Sequence, residues 1–223
     1  MIIAIDGPAA SGKGTLAALV AEQLGYHYLD SGALYRVTAH AAVLQGLGLD
    51  ASHETQIAAL ARQLPVRFEG DRVWLGTTDV TDEIRSETGG MRASLVSALP
   101  QVRLALVDLQ HRFARLPGLV ADGRDMGSVV FPSADLKVFL TASAEERAMR
   151  RHKQLKEKGI DVSLPDLSWD IAQRDARDAN RAVAPLRPAP EAHVIDSTSL
   201  SPGKVVARIL ERLAAVGVEV ERA

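Results

Sequence analysis

Short apolar runs alternate along the chain with longer segments whose apolar residues recur at helical spacing. Runs that are apolar at nearly every position are typical of strands buried on both faces of a parallel sheet. Four runs have this character, and a fifth, at 26–29, is weaker; the four lie at 2–5, 119–121, 136–140 and 193–195. Because helical segments separate them, the pattern predicts a three-layer α/β fold with a five-stranded parallel sheet.

The ends of two predicted helices are marked by residues that suit helix termini. The segment 15–24 stops at Gly25, which can adopt the left-handed conformation of a C-cap. Ser143 followed three residues later by Glu146 predicts a capping box at the start of a charged helix.

Two regions depart from this alternation of strand and helix. In residues 66–75, apolar and polar positions alternate around a turn at Glu69-Gly70-Asp71, which predicts a small antiparallel hairpin. It would lie inside an inserted region at 32–110. Residues 147–187 are dense in charge and poor in large apolar side chains, which predicts an exposed, mobile flap.

Composition narrows the class of protein. The chain has 223 residues, of which 47% are hydrophobic, enough for one domain with small insertions. Its formal net charge of −2 does not suit a polycation that binds nucleic acid or a membrane surface, and the absence of cysteine excludes a disulfide scaffold. The N-terminus lacks the basic region of a signal peptide, and no apolar run approaches a membrane span. We therefore expect a cytoplasmic protein without nucleic-acid or membrane partners.

A glycine-rich segment directly after the first predicted strand fits the pattern G-x-x-x-x-G-K. Its backbone N–H groups, the start of the following helix and the lysine are suited to the phosphates of ATP. Thr15 stands one place later than the Ser or Thr that usually follows the lysine, so it would hold magnesium directly or through water. The predicted ATP-binding residues are Gly7, Pro8, Ala9, Ala10, Ser11, Gly12, Lys13, Gly14 and Thr15.

A second polar cluster follows the strand at 119–121. Ligands of open α/β sheets bind at the carboxyl ends of the strands, which would bring Asp122 beside the phosphate loop. We expect Asp122 to hold magnesium through water and Arg124 to act on the phosphates.

Arginines provide the third cluster. On the predicted helix, four charged residues share one face, namely Arg174, Arg177, Asp178 and Arg181. Phosphoryl transfer requires positioning and neutralisation of charge, which arginines supply, so we predict a catalytic role for Arg181. Arg147, Arg150 and Arg151 form another candidate set, and since not all three can face one ligand, some must be structural; we predict that Arg151 is catalytic.

With these motifs together, the sequence resembles the bacterial cytidylate kinases over nearly its whole length. The matching segments are Ile5-Asp6-Gly7-Pro8 with the phosphate loop, 29–36, Glu83-Ile84-Arg85, 122–127 with Phe131-Pro132, 174–186, and Asp196-Ser197-Thr198. The resemblance implies a P-loop nucleoside monophosphate kinase fold with an inserted monophosphate-binding region and a lid at 147–187. It also implies a monomeric enzyme that uses ATP and Mg²⁺ to phosphorylate CMP and dCMP.

The resemblance further implies roles for individual residues. The cytosine edge would contact Ser94, Arg103 and Asp125. The sugar hydroxyls would contact Arg174 and Asp178. The pocket for the monophosphate, mostly around its phosphate, would be lined by Ser31, Tyr35, Arg36, Arg124 and Arg181. Ser94 and Arg103 are ordinary polar residues of helical segments, and only the resemblance singles them out.

Other functions remain open from the residues alone. Another small P-loop kinase, acting on AMP or on a metabolite, would share the phosphate loop but not the segment Gly123-Arg124-Asp125-Met126-Gly127. A nucleotide-binding switch would need an N-K-x-D segment to read guanine, and the sequence contains none. A DNA-binding protein has only the arginine face in its favour.

Overall fold

The computed structural model describes residues 1–157, 159–215 and 217. The strands are β1 (Ile2–Asp6), β2 (His27–Asp30), β3 (Val66–Glu69), β4 (Arg72–Leu75), β5 (Thr78–Asp79), β6 (Leu119–Gly123), β7 (Leu136–Thr141) and β8 (His193–Asp196). The α-helices are α1 (Lys13–Leu24), α2 (Ser31–Leu44), α3 (Glu54–Arg62), α4 (Thr81–Arg85), α5 (Glu87–Val96), α6 (Pro100–His111), α7 (Ala144–Glu157), α8 (Leu164–Ala179) and α9 (Pro202–Ala215). The chain forms two compact units, one made of Met1–Leu29 with the described residues from Phe113 onward, and the other of Asp30–Arg112.

The first unit is built on a five-stranded parallel sheet with the order β2-β6-β1-β7-β8. The apolar runs predicted all five strands, and each observed strand lies within two residues of its prediction. In the pairing of β1 with β6, Ile5 stands opposite Asp122 and Asp6 opposite Gly123. Consequently two carboxylates, Asp6 and Asp122, lie at the carboxyl ends of adjacent strands.

Helices α1 and α9 cover the sheet of the first unit with apolar faces. Leu16 and Val20 of α1 and Ile209 and Leu213 of α9 are buried in one cluster with the side chains of β1 and β7. Helix α1 ends as predicted at Gly25, which is in the left-handed region at φ 63° and whose N–H bonds to carbonyls of the last turn. This packing fixes the start of α1 relative to the carboxyl ends of the strands.

The predicted capping box of α7 forms only in part. The Ser143 Oγ accepts the N–H of Glu146 at 3.2 Å. The reciprocal bond does not form, because the N–H of Ser143 bonds to Thr198 and the Glu146 carboxylate pairs with Arg150 at 2.8 Å. The cap therefore joins the start of α7 to the turn after β8.

The region 147–187 contains most of α7 and α8, which pack against each other. Leu155, Leu167, Ile171 and Arg147 are buried, so the prediction of an exposed segment is wrong for these residues. The few apolar side chains have helical spacing, as with Leu167 and Ile171, and so collect on one face where they can be covered.

The second unit combines helices with a small antiparallel sheet. Strands β3, β4 and β5 pair in this order, and β3 and β4 meet in a hairpin at the predicted position. The two-residue strand β5 was not predicted. Helices α2, α3, α5 and α6 pack around a second apolar cluster that includes Ile57, Val96 and Leu106.

Within the described part of the chain, no helix is both long and apolar enough to cross a bilayer.

Candidate nucleotide-binding and phosphoryl-transfer site

The glycine-rich loop lies where the sequence predicted it, between β1 and α1. Two of its residues have left-handed backbone, Ala10 at φ 56° and Gly12 at φ 86°. Alternation into this conformation curls a loop so that successive N–H groups can face one anion. Gly7 must be glycine, because a Cβ there would collide with the carbonyl oxygen of Leu140 on β7. The loop is thus seated directly on the sheet.

Lys13 opens helix α1 and is buried, with 8% of its surface exposed. Its Nζ donates to the carbonyl oxygen of Pro8 at 3.2 Å, so the side chain folds back over the loop. This places an ammonium group at a positive helix N-terminus, where phosphate oxygens bind favourably.

Asp122 lies beside the start of α1. Its carboxylate is buried and accepts a hydrogen bond from the Tyr28 hydroxyl at 2.9 Å. The carboxylate lies so near the loop that a Cβ added to Gly14 would be 3.5 Å from its Oδ2. A buried carboxylate next to the phosphate loop is a hard oxygen donor suited to magnesium. Thr15 is exposed on the first turn of α1.

Asp6 is a site residue that the sequence reasoning did not single out. It is 4% exposed, and its two oxygens accept the N–H groups of Met126 and Gly127 at 2.8 and 2.9 Å. Burial raises the pKa of Asp6 to about 6, although these hydrogen bonds and Lys13 oppose the shift. Asp6 thereby fixes the turn that follows Arg124 and Asp125. The sequence feature that could have identified Asp6 as a site residue is its position at the carboxyl end of β1.

Arg124, Asp178 and Arg181 form a buried charge cluster. The Nε of Arg124 donates to Asp178 Oδ2 at 2.9 Å, and Arg181 pairs with Asp178 Oδ1. Burial alone would raise the pKa of Asp178, but the charges of Arg124, Arg181 and Arg174 outweigh it and lower the pKa. The structure therefore brings together three of the predicted site residues, with Arg174 close enough for its charge to act on Asp178, which is ionised at neutral pH.

The three arginines of α7 differ in their contacts. Arg147 donates to the carbonyl of Ala9 at 3.0 Å, and Arg150 donates to the carbonyl of Ser11 at 3.4 Å. Arg151, which was predicted to be catalytic, donates to Gln154 on its own helix at 3.4 Å.

In the second unit, the predicted residues lie on three helices: Ser31, Tyr35 and Arg36 on α2, Ser94 on α5 and Arg103 on α6. The Arg103 guanidinium lies over the Tyr35 ring, 5.5 Å from its centroid, and donates to the carbonyl of Ser97 at 3.0 Å. Ser31 and Ser94 are both buried. Arg36 donates to the carbonyl of Ile84 at 2.8 Å, so part of its guanidinium is engaged by the protein.

A parallel sheet with a phosphate loop between its central strand and the first helix is the arrangement of the P-loop nucleotide-binding proteins. The profile of the cytidylate kinase family matches residues 3–215. A cytidylate kinase from Bordetella pertussis is 56% identical over 210 residues, covering 94% of this chain and 93% of its own. Those from Cupriavidus pinatubonensis and Azotobacter vinelandii are 54% and 53% identical, and each alignment covers 96% of both chains. The chain belongs to the cytidylate kinase family.

Proposed function

We propose that this protein transfers the γ-phosphoryl group of ATP to CMP and dCMP, forming CDP and dCDP, as a cytoplasmic monomer in pyrimidine nucleotide metabolism. The observation that carries the proposal is the phosphate loop, with Lys13 folded over it and Asp122 beside it, in a chain of this family. The alternatives of another small P-loop kinase or a nucleotide switch have no observation in their favour.

Transfer would depend on positioning and charge. The loop N–H groups and Lys13 would hold the β- and γ-phosphates, while Arg124 and Arg181 neutralise charge on the acceptor phosphate and the moving group. A nucleotide phosphate has its second pKa at about 6, so the attacking oxygen is largely ionised at neutral pH and no general base is needed. Because Asp178 holds both arginines, it would set their direction as well as contact the sugar.

Magnesium fits the donor chemistry beside the loop. Asp122 would hold the ion, directly or through water, with Thr15 as a further water-mediated partner. When bound, the ion would screen the phosphate charge that develops during transfer.

Recognition of cytosine would use hydrogen-bond donors and acceptors from Ser94, Arg103 and Asp125. Arg103 is held by the Tyr35 ring and the Ser97 carbonyl, and Ser94 and Asp125 are 3% exposed each. A held guanidinium loses little freedom on binding, so it can donate to N3 of cytosine at low entropic cost. Asp125 would accept from the exocyclic amine.

The region 147–187 would act as a lid. Its exposed charges favour hydration without ligand, and phosphates would attract Arg181 and the arginines of α8 and exclude water on closure. We expect a bisubstrate analogue to slow amide hydrogen exchange in α8. Protection elsewhere without protection in α8 would contradict the role of a lid.

A coupled assay tests the proposed activity. ADP formation is measured with ATP and one acceptor at a time: CMP, dCMP, UMP, AMP or shikimate. We expect turnover that depends on the acceptor and is fastest with CMP and dCMP. A preference for AMP or shikimate would identify another kinase, and hydrolysis without any acceptor would identify a switch. Lys13→Met is the matched control for contaminating kinases.

A further inference from the structure

Helix α7 contacts the phosphate loop from its outer side through two guanidinium groups. Arg147 Nη1 donates to the carbonyl of Ala9 at 3.0 Å, and Arg150 Nη1 donates to the carbonyl of Ser11 at 3.4 Å. The two arginines are three residues apart and so share one face of α7. They bind alternate peptide groups of the loop.

The direction of these carbonyls fixes the direction of two N–H groups. In a trans peptide, the C=O of one residue and the N–H of the next point in opposite directions. Holding the Ala9 and Ser11 carbonyls toward α7 therefore turns the N–H groups of Ala10 and Gly12 away from it. Ala10 and Gly12 are also the two loop residues with left-handed backbone, at φ 56° and 86°. For alanine this conformation is unfavourable, so something must maintain it.

Each arginine is itself anchored by other contacts. Arg147 pairs with Asp175 of α8 at 2.6 Å and donates to the Ala142 carbonyl at 3.2 Å, and its side chain is 8% exposed. Such a side chain is committed to the protein and is poorly placed to follow a moving phosphate.

Arg150 is anchored on its other side. It pairs with Glu146 at 2.8 Å and donates to the Ser197 carbonyl at 2.6 Å and to the Ser197 Oγ at 3.1 Å. The Asp196-Ser197-Thr198 turn therefore supports the loop through Arg150.

We propose that Arg147 and Arg150 are positioning residues that hold the phosphate loop in its anion-binding conformation before ATP arrives, without touching the transferred group. This inference rests on the proposed ATP-dependent function. It differs from a purely electrostatic role, in which any cation on α7 would serve. Lysine keeps the charge but cannot donate from a planar group to a carbonyl and an anchor at once, so substitution by lysine separates the two roles.

The primary test measures ATP binding by calorimetry in Arg147→Lys and Arg150→Lys. Each should raise the Kd of ATP by about 10- to 100-fold, the range for losing a hydrogen bond from a charged group. The KM for CMP should change less than about threefold, because its contacts are not removed. Lys153→Met is the matched control, since Lys153 lies on the same helix in an exposed ion pair with Glu157.

Two results would overturn the inference. Lysine variants whose ATP Kd stays within about twofold of the wild type would show that charge alone suffices. A lower Tm with an unchanged Kd would show that the arginines only support the fold. The calorimetry measures ATP binding without any acceptor nucleotide. If the coupled assay showed no activity with CMP or dCMP, the binding data would therefore still test the role of the two arginines.

A double-mutant cycle checks the backbone argument. Glycine adopts positive φ without penalty, so a loop with glycine at position 10 depends less on the clamp by Arg147. We expect Arg147→Lys to raise the ATP Kd several-fold less in the Ala10→Gly background than in the Ala10 background. Strictly additive effects would refute a role of Arg147 in setting the loop conformation. Amide chemical shifts of Ala10 and Gly12 in the ligand-free protein should move in Arg147→Lys and stay in place in Lys153→Met.

Discussion

The buried carboxylate of Asp6 should make the stability of this protein fall as pH rises from about 4 to 6. Its pKa is raised from 3.8 to about 6 by burial. A raised pKa means that the folded state binds the proton more tightly than the unfolded state. The stability that results is fully present below the unfolded pKa of 3.8 and is lost as pH rises through 6.

The size of the effect follows from the shift. A difference of roughly two pKa units corresponds to about 3 kcal/mol in the free energy of unfolding. The substitution Asp6→Asn removes the titrating group. The asparagine amide has one oxygen that can accept a hydrogen bond, whereas the carboxylate has two. One of the two N–H groups that Asp6 binds would therefore lose its partner, at about 1–3 kcal/mol.

Urea unfolding of the wild type and of Asp6→Asn at intervals from pH 4 to pH 7 measures this contribution. The difference between the two free energies cancels the other titrating groups, and we expect it to fall by about 2–3 kcal/mol across this range. Asp79→Asn is the control, because hydrogen bonds from Thr81 lower the pKa of the half-buried Asp79 carboxylate. Its stabilisation is fully present above pH 3.8 and is lost only below that value, so the control curve should stay flat from pH 4 to pH 7. A flat difference curve for Asp6→Asn would refute the reasoning.

Three further substitutions test the proposed site. Lys13→Met should lower kcat at least about a hundredfold in the coupled assay with an unchanged circular dichroism spectrum, since it removes a cation from the transferred phosphates; turnover near the wild-type value would dismiss the loop assignment. Asp178→Ala leaves Arg124 and Arg181 without their shared carboxylate, so unfolding by urea should show a loss of about 3–5 kcal/mol. The same variant should raise the KM for CMP more than that for ATP, and the reverse order would place α8 at the ATP site. Asp125→Ala should narrow a CMP preference over UMP of at least about a hundredfold in kcat/KM, because uracil mismatches two hydrogen bonds worth about 1–3 kcal/mol each; equal losses for both substrates would assign Asp125 only to the turn.

The sheet could be predicted from the sequence because its strands are buried on both faces, and a continuous apolar run such as the one in β1 is typical of such strands. Strand β5 escaped prediction since a two-residue strand, Thr78–Asp79, has no room for a pattern. The order of the strands depends on pairings between distant segments, such as β1 with β6, and no local signal encodes these.

The site residues that could be predicted from the sequence are those with a suitable chemical group directly after a predicted strand. The phosphate loop and Asp122 each follow a predicted strand, so the carboxyl edge of the sheet indicated both. The different roles of Arg147, Arg150 and Arg151 could not be predicted, because the carbonyls that two of them bind lie 138 and 139 residues away. Only the family resemblance indicated Arg103, and its contact with Tyr35 depends on how α2 and α6 pack.

The distance in sequence between the loop and its supports has a consequence for biosynthesis. The loop is translated within the first fifteen residues, whereas Met126 and Arg147 follow far later. At roughly 5–20 residues per second, the nascent loop would wait about 7–26 s for the helix that holds it. The second unit is formed by one continuous segment, Asp30–Arg112, so all the residues that pack within it are synthesised before Arg147. A chain that ends before residue 147 would therefore contain the complete glycine-rich sequence but lack both arginines that hold the Ala9 and Ser11 carbonyls.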